Sequence, residues 1–216
     1  MLLKPEARTK YDSGNDEFFY SVPRLVTHVD DHFIDQLTQL YRERLKPNSR
    51  ILDLMSSWVS HLPDEVEFAH VEGHGMNEEE LRKNPRLNHY FVQNLNSTHQ
   101  LPLADGDFDA VLICVSVQYL QYPEIVLSEV CRILKPGGLL IISFSNRMFY
   151  QKAIAAWRDN SEMGRVALVK AYLKAISGFN EPEVIIQRSE LPSFLQMLGM
   201  GGQDPFYAVI AERKVE

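Results

Sequence analysis

Ten residues, Phe108 to Val117 (FDAVLICVSV), are apolar almost without interruption. A strand with one face in water alternates apolar and polar side chains. An unbroken run of this length instead needs cover on both faces, as a central strand of a parallel sheet has. Parallel neighbours need a crossover, and the sequence supplies one. PEIVLSEVCRIL places Ile125, Val126, Val130, Ile133 and Leu134 at helical spacing, KPGG supplies a helix stop and a turn, and GLLIISFSN is a further apolar strand.

The same alternation extends upstream. HVDDHFIDQLTQLYRERL, His28 to Leu45, carries Phe33, Ile34, Leu37, Leu40, Tyr41 and Leu45 at helical spacing before Pro47. RILDLM and VEFAHVEG read as strands. NEEELRKNP opens a helix with Asn77 and has Glu80 three residues on, a capping-box spacing. HYFVQNL is another strand. Residues 1–27 are irregular, and Arg147 to Phe179 reads as helical. EVIIQRS and PFYAVIAERK read as a closing pair of antiparallel strands joined by the short connection 191–203. Strands alternating with helices predict a doubly wound α/β sheet.

Bulk properties exclude several classes. The formal net charge of -7 disfavours a phosphate backbone as partner, so no nucleic acid is expected. No stretch approaches the ~20 apolar residues of a membrane span, and the first residues lack a secretory signal run. The expected location is the cytoplasm, or an organelle lumen if an import peptide has been removed. Cys114 and Cys131 have no metal-ligand spacing and read as reduced core thiols.

The stretch 101–146, from LPLADGDFDAV to LLIISFSN, resembles the fourth strand, following helix and fifth strand of class I S-adenosylmethionine-dependent methyltransferases, type 11 branch. LP with an acidic turn, FDAV, the strand end CVSVQYL, the helix with Glu129 and Arg132, and LKPGG coincide at the family's spacings. The resemblance extends over 48–146. It implies a seven-stranded Rossmann-like sheet, mostly parallel, with an antiparallel last strand inserted beside the fifth. It also implies a single domain, 1–216: an N-terminal arm and helix (1–47) covering the site, a cofactor-binding core (48–146), and a helical acceptor region with terminal strands (147–216). The implied activity is methyl transfer from S-adenosylmethionine to a small-molecule acceptor, with the cofactor lying across the carboxyl ends of the first strands.

Departures fall in the cofactor loop. Aligning Asp53 and Leu54 with the first strand's end puts Met55, Ser57 and Val59 where the family carries glycines, which let backbone N–H groups approach the ligand. The carboxylate expected for the ribose falls near Gly75, where no acid stands, and Asn94 takes the place of an adenine-facing Asp. Met76, Leu95 and Val115 lie beside these at strand ends. Ser56 and Ser57 can cap a following helix and offer hydroxyls, Asp53 can hold the cofactor's amino group, Arg24 suits its carboxylate, and Tyr20 suits a lid. Arg24 is equally compatible with a surface salt bridge and Tyr20 with packing of the arm. Two readings stay open: binding through a different set of groups, or a catalytically inactive fold that binds a partner or another metabolite.

Methyl transfer demands little of side chains beyond orientation and exclusion of water. Where a base is needed, Tyr119 and His61 are the nearest candidates; otherwise Tyr119 is a pocket wall and His61 lies on a helix face. HVEGH puts His70, Glu72 and His74 on one strand face, but nothing nearby completes a zinc set, so no metal is expected. The dinucleotide fingerprint is absent. Phe149, Tyr150, Trp157 and Tyr172 mark either a greasy acceptor wall or core.

Overall fold

The computed structural model describes residues 2–188 and 202–215. Seven strands form one sheet: β1 (Arg50–Asp53), β2 (His70–Gly75), β3 (His89–Val92), β4 (Phe108–Cys114), β5 (Leu134–Phe144), β6 (Glu183–Gln187) and β7 (Phe206–Glu212), in the order β3-β2-β1-β4-β5-β7-β6. The pairs from β3 through β5 are parallel, and β7 runs antiparallel to both β5 and β6. The helices are α1 (Asp16–Phe19), α2 (Asp31–Arg44), α3 (Glu78–Lys83), α4 (Pro123–Ile133), α5 (Ala155–Arg158) and α6 (Glu162–Lys174).

The unbroken apolar run sits in β4, at the middle of the sheet, and each side chain is needed. Val111 and Ile113 point into one core with Leu140 and Ile142 of β5, covered by α4, α5 and α6 through Val126, Val130, Trp157 and Val169. Ala110 and Leu112 point the other way, into a second core with Ile141, covered by Phe33, Leu37 and Tyr41 of α2. Alternate residues of a buried strand thus feed two layers. The helix over 28–45 forms as α2, with Asp30 as its cap: the Asp30 carboxylate accepts from Phe33 N–H at 2.9 Å.

Four local expectations change. First, no helix follows β1; residues 54–69 run as irregular chain, so Ser56 and Ser57 cap nothing and His61 is on no helix. Second, KPGG is part of β5, which begins directly after α4. A register shift between Phe108 and Ala110, two steps on β4 against five on β5, absorbs the extra residues, and Gly137 sits at φ +76°, which a side chain would resist. Third, the helical text from Arg147 divides into α5 and α6, because tertiary contacts pin 147–153: Arg147 pairs with Asp204 at 2.8 Å and Phe149 N–H donates to Tyr119. Fourth, β2 starts at His70 rather than Val66, the preceding residues being led in by Ala69 N–H donating to Ser49 O at 3.0 Å. The connection read over 191–203 falls, up to residue 201, outside the described residues.

Candidate cofactor site

The carboxyl ends of β1, β2 and β4 open into a cavity of about 510 Å³, closed on one side by the arm Tyr20–Asp30 and on another by Arg147–Phe149. All thirteen residues named from the sequence line it: Tyr20, Arg24, Asp53, Met55, Ser56, Ser57, His61, Gly75, Met76, Asn94, Leu95, Val115 and Tyr119. Proximity brings them together without giving any of them a role.

The loop after β1 lacks glycine yet keeps a glycine-like path. Met55 has φ +62°, His61 φ +53° and Val115, after β4, φ +49°; a β-branched residue there is a pronounced outlier. Left-handed backbone costs ~1–2 kcal/mol for residues with a side chain, so the surrounding contacts must hold it. His74 supplies them. Its Nδ1 accepts from Met55 N–H at 3.1 Å, which leaves Nε2 to donate to Gln93 O at 3.0 Å, and its carbonyl accepts from Ser56 N–H at 2.7 Å. Burial draws the His74 imidazole down to about 4, so the ring is neutral, as this tautomer requires. The N–H groups of Met55 and Ser56 therefore face β2 rather than the cavity. Gly75 is needed for this approach: a Cβ there would stand 2.7 Å from Ser56 O.

Asp53 is 3% exposed at the end of β1. Ser56 Oγ donates to it at 2.5 Å, and it has no cationic partner among the described residues. Burial raises its carboxyl to about 6, with hydrogen bonds from Ser56 and Ser60 opposing the rise. Ser57 Oγ donates to Glu80 at 2.6 Å, and the other Glu80 oxygen accepts from Arg24 N–H at 2.6 Å. Glu80 is thus turned away from the capping box its spacing predicts, although Asn77 does cap α3 by accepting from Glu80 N–H at 3.1 Å. The Arg24 guanidinium makes no salt bridge among the described residues. It donates to Phe19 O at 2.9 Å and lies 4.6 Å from the Phe19 ring centre and 5.3 Å from that of Phe149.

The expected bases fare differently. Tyr119 accepts from Phe149 N–H at 2.8 Å, and burial pushes its phenol up to about 12, so its proton is held too firmly for a base at neutral pH. Burial lowers His61, and equally His28 of the arm, keeping both rings neutral and able to accept a proton. Burial raises the Tyr20 phenol. Asn94 Oδ1 accepts from Asn96 N–H at 3.0 Å, which occupies part of its capacity as an acceptor. Of the four aromatics assigned to an acceptor wall, only Phe149 lines the cavity. Trp157 and Tyr172 are core, and Tyr150 stacks on Tyr11 at the surface.

Sequence reasoning passed over Asp16, His28 and Ser116 as site residues, and placed Glu80 and His74 in other roles. For His74 the signal was a histidine closing β2 beside the loop; the others lie where only the tertiary fold brings them. His70 and His89 instead flank Glu72, at 2.9 and 2.6 Å. No cluster of three His, Cys, Asp or Glu suited to a metal is found among the described residues, and no helix there is long and apolar enough to cross a membrane.

Parallel strands in the order β3-β2-β1-β4-β5, with antiparallel β7 inserted before β6 and a cavity at the carboxyl ends, define the class I methyltransferase fold. A possible histamine N-methyltransferase from Thermotoga maritima superposes with a TM-score of 0.56 and 21% identity, covering 85% of this chain and 91% of that one. The [4+2]-cyclase SpnF superposes with 0.59 and 18% identity, over 84% and 81%. A methyltransferase-domain family model matches residues 59–142. The demethylmenaquinone methyltransferase of Beutenbergia cavernae is 33% identical over 139 residues, 62% of this chain and 52% of that protein. The chain thus spans about half the length of that relative. Over residues 59–142 the chain is similar to the methyltransferase-domain family, and its fold is that of the class I S-adenosylmethionine-dependent methyltransferases.

The cavity's residues fit the family's cofactor. An amino-acid end carrying both ammonium and carboxylate needs an acid and a cation that are not spent on each other or on other charges, and Asp53 and Arg24 make no salt bridge among the described residues. Ser116 Oγ, which lines the cavity, is buried without a partner. A volume of about 510 Å³ lies within the ~300–1,000 Å³ usual for such ligands.

Proposed function

We propose that this protein binds S-adenosylmethionine in the cavity and transfers its methyl group to a small, apolar, aromatic acceptor. The observation that carries this is the pairing of unmatched charges in one pocket: a buried carboxylate, Asp53, without a cation, and a guanidinium, Arg24, without an acid. When bound, the cofactor supplies a sulfonium-activated methyl group.

The chain's own residues do the rest. Asp53, whose ionised form an ammonium stabilises, holds the amino group, and Arg24 holds the carboxylate. Ser56 and Ser57 lend hydroxyls to the same end. Asn94 and Leu95 flank the adenine, and Met55, Gly75, Met76 and Val115 form apolar walls, with Tyr20 closing the top. Phe149, His28 and Trp58 face the remaining space, which suits a planar acceptor lying between them. His61 takes the acceptor's proton where one must leave. The reading is of one domain, 1–216, in which 1–47 covers the site. Demethylmenaquinone, in the name of the bacterial relative, is one acceptor of this class to test.

Calorimetry with S-adenosylhomocysteine tests the binding step. Wild type binds, and Arg24→Ala loses at least tenfold in affinity, the ~1.4 kcal/mol minimum for a charge-assisted contact. No heat at millimolar ligand refutes the reading.

A second reading keeps binding and drops turnover. The N–H groups of Met55 and Ser56 are spent on β2 and no helix follows β1, so neither these two donors nor a helix dipole is available to the ligand. The fold also hosts a protein named as a cyclase. Affinity without transfer of labelled methyl to any acceptor in a cell extract would select it.

A further inference from the structure

Resting on the proposed cofactor reading, we propose that Glu80 is a positioning residue that couples closure of the N-terminal arm to the shape of the cofactor loop, with Asn77 as its second clasp.

The arm from Phe18 to His28 is poorly anchored by burial: Phe18 is 83% exposed, Val22 66% and Val26 56%. Among the described residues its N–H groups make backbone–backbone hydrogen bonds only to Asn15, Asp16 and Phe18, in and beside α1. Beside the packing of Phe19, Tyr20 and His28 against Phe149, what ties it to the body is a short set of side-chain hydrogen bonds. Asn77 Nδ2 donates to Tyr20 O at 2.8 Å and to Ser21 O at 3.1 Å. Glu80 accepts from Arg24 N–H at 2.6 Å. Trp58 Nε1 donates to Val26 O at 3.1 Å. Segments held this way open locally far below the free energy of global unfolding.

Two features make Glu80 more than a clasp. Its carboxylate has two oxygens with two distant partners, Arg24 N–H in the arm and Ser57 Oγ in the loop after β1, so one side chain fixes both walls of the cavity's charged end. It also grips Arg24 by the backbone, so the guanidinium, which donates to Phe19 O, is not spent on an acid. Loss of the Glu80 acceptor thus displaces Arg24 without altering its chemistry. By reciprocity, a ligand that needs Arg24 in place favours the closed arm, and closing the arm favours the ligand.

The test separates closure from binding. Glu80→Gln keeps the size but leaves one acceptor for two donors. Asn77→Asp keeps the oxygen that caps α3 and turns the paired donors facing Tyr20 O and Ser21 O into an acceptor. Amide hydrogen exchange of wild type, E80Q and N77D is followed with and without S-adenosylhomocysteine, with affinity measured by calorimetry. Expected are exchange at residues 20–28 at least tenfold faster in both variants, unchanged protection of α3 and β4, a tenfold or greater loss of affinity, and slowing of wild-type arm exchange on adding ligand. Equal arm exchange in all three proteins overturns the clasp. Faster exchange with undiminished affinity overturns the coupling. A wild type that binds no ligand removes the cofactor reading and with it the coupling, while the unliganded exchange still decides whether Glu80 and Asn77 hold the arm.

Discussion

Replacing Asp53 with Asn gives the sharpest test of the site's electrostatics. The carboxyl lies 3% exposed at the end of β1, with a serine hydroxyl at 2.5 Å and no cation beside it among the described residues. Burial raises it from 3.8 to about 6. Each tenfold change in ionisation constant is ~1.4 kcal/mol, so ionised Asp53 costs the folded state ~3 kcal/mol. The sign follows from the raised value: the folded state binds the proton more tightly than the unfolded chain. The associated stability is therefore fully present below pH 3.8 and lost as pH rises through about 6. Asparagine retains an acceptor for Ser56 and never ionises. Urea unfolding of both proteins from pH 4 to 8 should give a difference curve, variant minus wild type, that climbs by ~3 kcal/mol across this window and is level above it. Other titrating groups cancel in the difference. A flat curve, or one that falls with pH, would mean that a cation or extra donors hold Asp53 ionised, and the vacancy for an ammonium group would vanish with it. The same variant should also abolish the proton release that accompanies S-adenosylhomocysteine binding at pH 6, read by calorimetry in buffers of different ionisation enthalpy.

Gly75→Ala should lower stability by ~1–3 kcal/mol, since the new Cβ meets Ser56 O at 2.7 Å and backbone must move; a melting temperature unchanged within 1–2 °C would show that the loop gives way freely. Lys152→Met removes a fully buried ammonium 3.0 Å from Asp12 and 3.2 Å from Asp16. It should cost ~1–3 kcal/mol, the range for leaving an acceptor of the buried ammonium, such as Gly14 O, unsatisfied, because the Asp12 side chain is 42% exposed and Lys10 still holds Asp16 at 2.6 Å; denaturant unfolding with no shift in midpoint would refute this.

Much of the fold was legible because the sheet's demands are repetitive. FDAVLICV has to be covered on both faces, and the structure divides its side chains between two cores. The place of the antiparallel last strand beside the fifth followed from the family resemblance carried by the motifs between Leu101 and Asn146. The cofactor loop was less legible. Nothing in MSSWVSHLP announces that Met55 and His61 take positive φ, because the agent that holds Met55 there is His74, nineteen residues on and in another strand. Glu80 carried the spacing of a capping box, yet two distant donors outcompeted the local one. Tertiary partners of this kind leave no period in the sequence. The missing helix after β1 is of the same sort: Leu54 and Leu62 each find a core position along an irregular path.

The insertion of β7 between β5 and β6 bears on how the chain is made. On the ribosome, residues 183–187 emerge before 206–212, so β6 appears before the strand it pairs with. Until then β5 presents an unpaired row from Leu139 to Phe144, apolar on both faces, of the kind that recruits other nascent chains. Phe206, opening β7, also supplies the ring against which Phe33 of α2 packs at 5.0 Å, so that helix waits on the same event. Yield in a cell should therefore depend on how fast the stretch through β6 and β7 is translated, and on whether a chaperone covers β5 in the interval.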